Sequence, residues 1–202
     1  MHLLEKVEQY CSHLLLGKEC EQLPFHNYAH TTRVVRFSME FARALNLPED
    51  EIEEVVIAAW FHDTGFSEDY AHHEEHSKVL ARSFLEEVGL AEERIQRIVE
   101  CIESTKYDVE PQTLQQKILC DADLIHLTSP DYLKYNALLR QEWEQQLGLF
   151  YSDLKWYELN VLFLSDHHFE SDSIPQDRIK QLKKNLTTLK KLQQMEIEDL
   201  NS

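Results

Sequence analysis

The 202-residue chain has little of what most fold and function classes require, beginning with turn formers: only 4 Gly and 5 Pro. An all-β fold needs a turn about every 8–12 residues, so the scarcity argues against one. The four cysteines, Cys11, Cys20, Cys101 and Cys120, stand singly, with no C-x-x-C pair. They suit neither a disulfide framework nor a zinc ribbon. No uninterrupted apolar run approaches the ~18 residues of a membrane span, so membrane insertion is not expected. Glu5, Lys6 and Glu8 break the first apolar stretch, so no signal-peptide pattern opens the chain. The expectation is a cytoplasmic protein with reduced thiols. Positive charge is short as well: 20 Lys and Arg face 37 Asp and Glu, a net charge of −17. Such a chain is not expected to bind nucleic acid or an anionic membrane. One small phosphorylated molecule in a local pocket stays compatible, above all where a bound metal supplies the positive charge.

What is present is helical periodicity. Hydrophobic residues make up 43% of the chain, enough for one sizeable core. Stripes at three- and four-residue spacing recur along the chain. Val34, Val35, Phe37, Phe41 and Ala42 form one, and Ile52, Val55, Val56, Ala59 and Trp60 another. Val79, Leu80, Phe84, Leu85 and Val88 end at Gly89, a helix-stop signal. Ile95, Ile98, Val99 and Ile102 follow, then Leu114, Ile118, Leu119, Ala122 and Ile125. Leu154, Tyr157, Leu159, Leu162 and Phe163 complete the packed set. The spacing predicts an all-α fold. Residues 63–73 and 104–112 lack a stripe and are expected to loop between helices. A single compact helical domain is expected over residues 1–170. Residues 171–202 are expected as a C-terminal helical tail whose stretch 177–195 is Lys-rich and moderately amphipathic; it could pack as a last helix, pair with another chain in a homo-oligomer, or lead into a partner.

Ionisable residues interrupt these otherwise apolar segments. His26 and His30 lie in FHNYAHTTRVV at the front of a helix, and His62 and Asp63 in AAWFHDTGF at the end of one. His72, His73 and His76 lie in HHEEHS, and Asp121 and Asp123 in CDADLIHL. Buried ionisable side chains are costly unless paired or bound to a metal. A His, an adjacent His-Asp and a later Asp suit a borderline divalent ion better than Ca. Arg33, three residues after His30, shares nearly its helix face. Arg33, Lys78 and Lys106 are the cations placed to meet a phosphate, Arg33 and Lys106 ahead of Lys78. The run His72-His73-Glu74-Glu75-His76 also matches the H-x-x-E-H metalloprotease pattern. That reading leaves the other elements unexplained and has no evident third ligand.

In this order, FHNYAHTTRV, WFHDTG and DADL resemble the HD superfamily of metal-dependent phosphohydrolases. The first motif is similar to the YHNxxHxxxV signature of cyclic-nucleotide phosphodiesterases, with Phe25 in place of the tyrosine. WFHDTGF, HEEHS, Ser104-Thr105-Lys106 and CDADL also resemble the pattern of small bacterial predicted HD phosphohydrolases. The likeness covers about residues 20–145. It implies that His30, His62, Asp63 and Asp123 are metal ligands, with Asp121 pointing elsewhere. It implies one divalent ion (Mn, Zn, Fe, Co, Ni or Mg), with His73 beside a second. It gives His26 the role of proton donor to the leaving oxygen. With Arg33 and Lys106 as the phosphate-facing cations, the expected substrate contacts are His26, Arg33, His73 and Lys106, and the expected catalytic residues His26, Asp63, Arg33 and Lys106. The implied activity is hydrolysis of a nucleotide or other small phosphate ester, monoester or cyclic diester, by a metal-bound hydroxide. The alternative is an HD module that binds a nucleotide as a sensor or effector with little turnover.

Overall fold

Apolar residues three and four apart place one face of a segment against its neighbours. In the computed structural model, which describes residues 2–201, these stripes become ten α-helices, and no strand occurs among the described residues. In chain order they are α1 (Leu3–Leu15), α2 (Lys18–Glu21), α3 (Tyr28–Ala44), α4 (Glu49–Phe61) and α5 (His73–Glu87). There follow α6 (Glu92–Glu103), α7 (Leu114–Asp123), α8 (Tyr132–Leu147), α9 (Asp153–Asp166) and α10 (Gln176–Leu200). Two 3-10 turns, Thr64–Ser67 and Leu124–Thr128, follow α4 and α7. The chain divides into two compact units: residues up to 124 with 170–173, and residues 125–169 with those from 174 onward.

In the first unit, α4 is the element around which the others pack. Pro48 precedes it, and Glu49, Asp50 and Glu51 in its first turn suit the positive end of the helix dipole. Every residue from Val55 to Phe61 is buried. Each such large apolar side chain contributes about 1.5–3 kcal/mol on burial. The C-terminus of α4 is therefore held by much of the unit's core. Helices α1, α3, α6 and α7 pack against α4. Asn27 caps α3: its side-chain oxygen accepts from the Ala29 and His30 amides. Its amide group donates to the Leu23 and Pro24 carbonyls, which fixes the entry loop. Thr113 and Gln116 cap α7 reciprocally.

The second unit contains α8, α9 and α10. Asn136 on α8 accepts from the Trp156 indole at 2.7 Å, and Tyr132 and Asn136 both donate to Asn160. This buried polar network is satisfied by its own members, as such networks must be to stabilise a core. Helix α10 packs on α9 and buries Leu182, Asn185 and Leu189, with Asn185 donating to the Leu127 and Ser129 carbonyls. Not every stripe residue is covered. Val79, Leu162 and Phe163 are exposed, because α5 and α9 carry apolar residues on more sides than their neighbours cover. No helix among the described residues is long and apolar enough to cross a membrane.

Candidate metal centre

Three helix ends bring the ionisable residues together: the first turn of α3 carries His30, the residues just after α4 are His62 and Asp63, and Asp123 ends α7. His30 and His62 are buried to 1% exposure and Asp63 to 3%. The Nε2 atoms of the two imidazoles lie 3.4 Å apart. Asp123 Oδ1 stands 3.0 Å from His30 Nε2 and 3.7 Å from His62 Nε2. Asp63 Oδ2 stands 3.3 and 3.2 Å from the same two nitrogens. His30, His62 and Asp123 offer ligand atoms all within 4.8 Å of one another. Asp63 borders that trio through the two imidazoles.

The donor set and its surroundings fit a divalent ion. His62 Nδ1–H donates to the Ala59 carbonyl at 2.8 Å, which leaves the Nε2 lone pair facing the cluster. Asp63 Oδ2 is buried and accepts no hydrogen bond, although two imidazoles lie beside it. Such an atom is costly in a protein core unless a cation meets it. Electrostatics agree. Burial alone would lower the His62 imidazole, but the Asp63 and Asp123 carboxylates raise it well above its ordinary range. Burial alone would raise the two carboxyls, but the imidazoles hold both well below theirs. Two carboxylates thus hold positive charge at one point shared with two imidazole Nε2 atoms, where a divalent ion would take the place of the protons, and this donor set suits Zn, Mn, Fe or Co more than Ca.

The other singled-out residues fall in two groups. His26 and His73 are brought to the cluster. The His26 ring lies 5.4 Å from that of His30, and His73 Nε2 is 3.8 Å from Asp63 Oδ1. Phe66 stacks on both, at 4.9 Å from His26 and 3.8 Å from His73. Burial lowers the His73 imidazole, outweighing the opposing pull of Asp63 and Glu74. Arg33 also arrives, in an unforeseen way: its Nη2 donates to His30 Nδ1 at 3.0 Å. A guanidinium only donates, so Nδ1 accepts in this contact and the ring proton sits on Nε2; holding an ion through Nε2 requires the proton on Nδ1 and Arg33 turned away from it. Lys106 and Lys78 are engaged elsewhere. Both ammonium groups pair with Glu75 and Glu103, where α5 meets the end of α6. His72 is exposed beside Asp69.

Asp121 turns away from the cluster. Its carboxylate accepts from the Glu170 and Ser171 amides at 2.7 and 2.8 Å and from the Ser171 hydroxyl at 2.5 Å. No local pattern could reveal partners about fifty positions away. Phe66 stands in the WFHDTGF motif, and nothing in its spacing signals that it packs on two histidines.

The HD domain family matches residues 27–128, a little over half of the chain. No curated protein sequence matches it. Among solved structures, a protein from Lactobacillus plantarum is similar with a TM-score of 0.70 at 13% identity, over 98% of this chain and 97% of that one. A predicted HD superfamily hydrolase from an uncultured Thermotogales bacterium is similar with a TM-score of 0.59 at 16% identity, over 98% and 92%. At such identities these two likenesses speak to the fold alone. The matched segment spans His30, His62, Asp63 and Asp123, and on that match the chain belongs to the HD domain family.

Proposed function

We propose that this protein is a metal-dependent phosphohydrolase that cleaves a nucleotide or other small phosphate ester, monoester or cyclic diester. The observation that carries the reading is the convergence of two imidazole Nε2 atoms and two carboxylates, with Asp63 Oδ2 buried beside both imidazoles and in hydrogen-bonding geometry with neither. His30, His62, Asp63 and Asp123 would hold the ion. A divalent ion bound there supplies Lewis acidity toward phosphoryl oxygens and activates water near neutral pH.

The chain's own residues do the rest. The bond formed joins a water oxygen to phosphorus, and the bond broken joins phosphorus to the ester oxygen. His26, beside His30 and packed on Phe66, hands a proton to the departing oxygen, help worth about 10²–10⁴-fold. Arg33 sets a guanidinium next to the ligand His30, and once released from Nδ1 it meets a phosphoryl oxygen and opposes the charge that builds there. His73 stands on the Asp63 side and contacts the substrate, or a second ion, from there. Lys106 reaches a phosphate only by exchanging Glu75 and Glu103 for it.

The test is metal analysis of the wild-type chain and of Asp63→Ala, with phosphate release assayed on a nucleotide panel in added Mn²⁺. The expected result is one or two ions in the wild type, lost in the variant, with hydrolysis that disappears alongside them. A bound ion with nucleotide binding and no phosphate release would favour a sensor module instead. Absence of metal from both proteins, even after loading, would overturn the reading.

A further inference from the structure

The segment from His62 to Gly65 carries two of the four clustered residues; its His62 amide and Gly65 carbonyl have helical partners, but its His62 carbonyl and Gly65 amide do not. His62 is the C-cap of α4, and its carbonyl falls among the groups that a helix terminus leaves without an internal partner. Gly65 lies in the following 3-10 turn, and its amide is likewise outside any helical ladder. Both groups are buried, so each needs a partner. Ser77, on the second turn of α5, supplies both. Its hydroxyl donates to the His62 carbonyl at 2.7 Å and accepts from the Gly65 amide at 2.8 Å. One fully buried oxygen thus spans the two ends of the turn that contains His62 and Asp63.

The fit is unusually close. A Cβ on Gly65 would fall 1.8 Å from the His73 carbonyl oxygen and 2.7 Å from the Ser77 amide nitrogen. Only glycine lets the first turns of α5 press onto this segment, and that approach brings Ser77 within reach. The neighbouring hydroxyls close local turns instead: Thr64 donates to Phe61 and Ser67 to Thr64. Ser77 alone among these reaches in from another helix.

We propose that Ser77 is a positioning residue of the metal centre, fixing through its paired hydrogen bonds the angle at which His62 and Asp63 face the ion. This rests on the metal-centre reading above. The hydroxyl touches neither imidazole nor carboxylate. It acts through the backbone, and groups that orient metal ligands are typically worth 10–100-fold in affinity.

The experiment titrates the full chain with Co²⁺, following heat and the visible absorption bands of the bound ion. The proteins are wild type, Ser77→Ala, Ser77→Thr, Asp63→Ala and Ser38→Ala. Ser38 is a control: it is fully buried on α3, and its hydroxyl has no hydrogen-bond partner. All are measured at a temperature where circular dichroism shows each folded. The expected result is binding about tenfold to hundredfold weaker in Ser77→Ala with altered Co²⁺ bands. Ser77→Thr, which keeps the hydroxyl, restores the wild-type bands, and Ser38→Ala behaves as wild type. Should Ser77→Ala not fold, Ser77→Cys, whose somewhat larger thiol offers only a weak donor, carries the same comparison. Unchanged affinity and bands in Ser77→Ala would overturn the proposal, and so would an equal loss in Ser38→Ala. If the wild type binds Co²⁺ no better than Asp63→Ala, the metal centre itself falls, and Ser77 with it.

Discussion

Two acidic residues of the first unit, nine positions apart, are both almost completely buried and have opposite surroundings. Glu54, on α4, is enclosed by arginines from α6: Arg97 donates to both carboxylate oxygens at 2.7 and 2.8 Å, and Arg94 adds a third bond at 2.8 Å. Asp63, just beyond the end of α4, has an oxygen buried among imidazoles that accepts no hydrogen bond. Glu54 is a closed account of charge, donors matched to acceptors, and it ties α4 to α6. Asp63 is open toward one point shared with two imidazoles and a second carboxylate. Burial of a carboxylate says little about function by itself. Whether its partners complete it or leave it facing a shared point that a cation would fit is what separates a structural pair from a site.

The sharpest way to break this contrast is to remove each acid in turn. Asp63→Ala is expected to abolish ion binding and to lower phosphate release by at least about 10³-fold, some 4 kcal/mol of transition-state stabilisation. Metal analysis and the phosphate assay read this directly, and wild-type activity in the variant would dissolve the distinction. Next in size is Gly65→Ala, whose Cβ collides with backbone rather than a flexible side chain. Moving α5 away from the turn is expected to cost about 3 kcal/mol in urea unfolding. The same displacement weakens ion binding.

Glu54→Gln is the mirror experiment. It is expected to cost about 1–2 kcal/mol, since Arg97 is half exposed and regains water. Ion content and activity per folded molecule stay unchanged. Its pH dependence is specific. Burial alone would raise the Glu54 carboxyl, but hydrogen bonds from Arg97 and Arg94 bring it below its ordinary 4.5. A depressed carboxyl contributes stability that is complete above its ordinary value and is lost as pH falls through its own lower one. The gap between wild type and Glu54→Gln is therefore constant from neutral pH down to the ordinary 4.5 and closes below it. A gap that instead narrowed between pH 8 and pH 6, by urea unfolding at ~1 unit steps, would contradict this sign. The smallest effect is expected for Ser171→Ala. It removes one of three donors to Asp121 and costs about 1 kcal/mol by the same measurement, with no change in ions bound.

The helical class was legible because periodicity is a local property. Ile95, Ile98 and Ile102 are spaced for one face, and that face is buried. The residues of the cluster were legible in two steps: His26, His30, His62, Asp63, Asp121 and Asp123 each interrupt or flank an apolar segment, and the likeness to the HD superfamily picks out His30, His62, Asp63 and Asp123 among them. What stayed hidden is the choice of partner among residues distant in sequence. Its place in an expected loop beside the site puts Lys106 near a phosphate, and the structure pairs it with Glu75 and Glu103 across two helices. Spacing put Arg33 on the face of His30 and could not show that its guanidinium takes the imidazole Nδ1. Leu162 and Phe163 follow a helical stripe and are nonetheless exposed, since a stripe records apolar content and not what covers it.

The central claim is that His30, His62, Asp63 and Asp123 hold one divalent ion, and anomalous diffraction from crystals grown with Mn²⁺ tests it most directly. The account predicts an anomalous peak at coordinating distance from His30 Nε2, His62 Nε2 and an oxygen of Asp123, with Asp63 turned toward it. A well-ordered crystal with no peak there, or with Mn²⁺ bound at His72 and His76 instead, would contradict it.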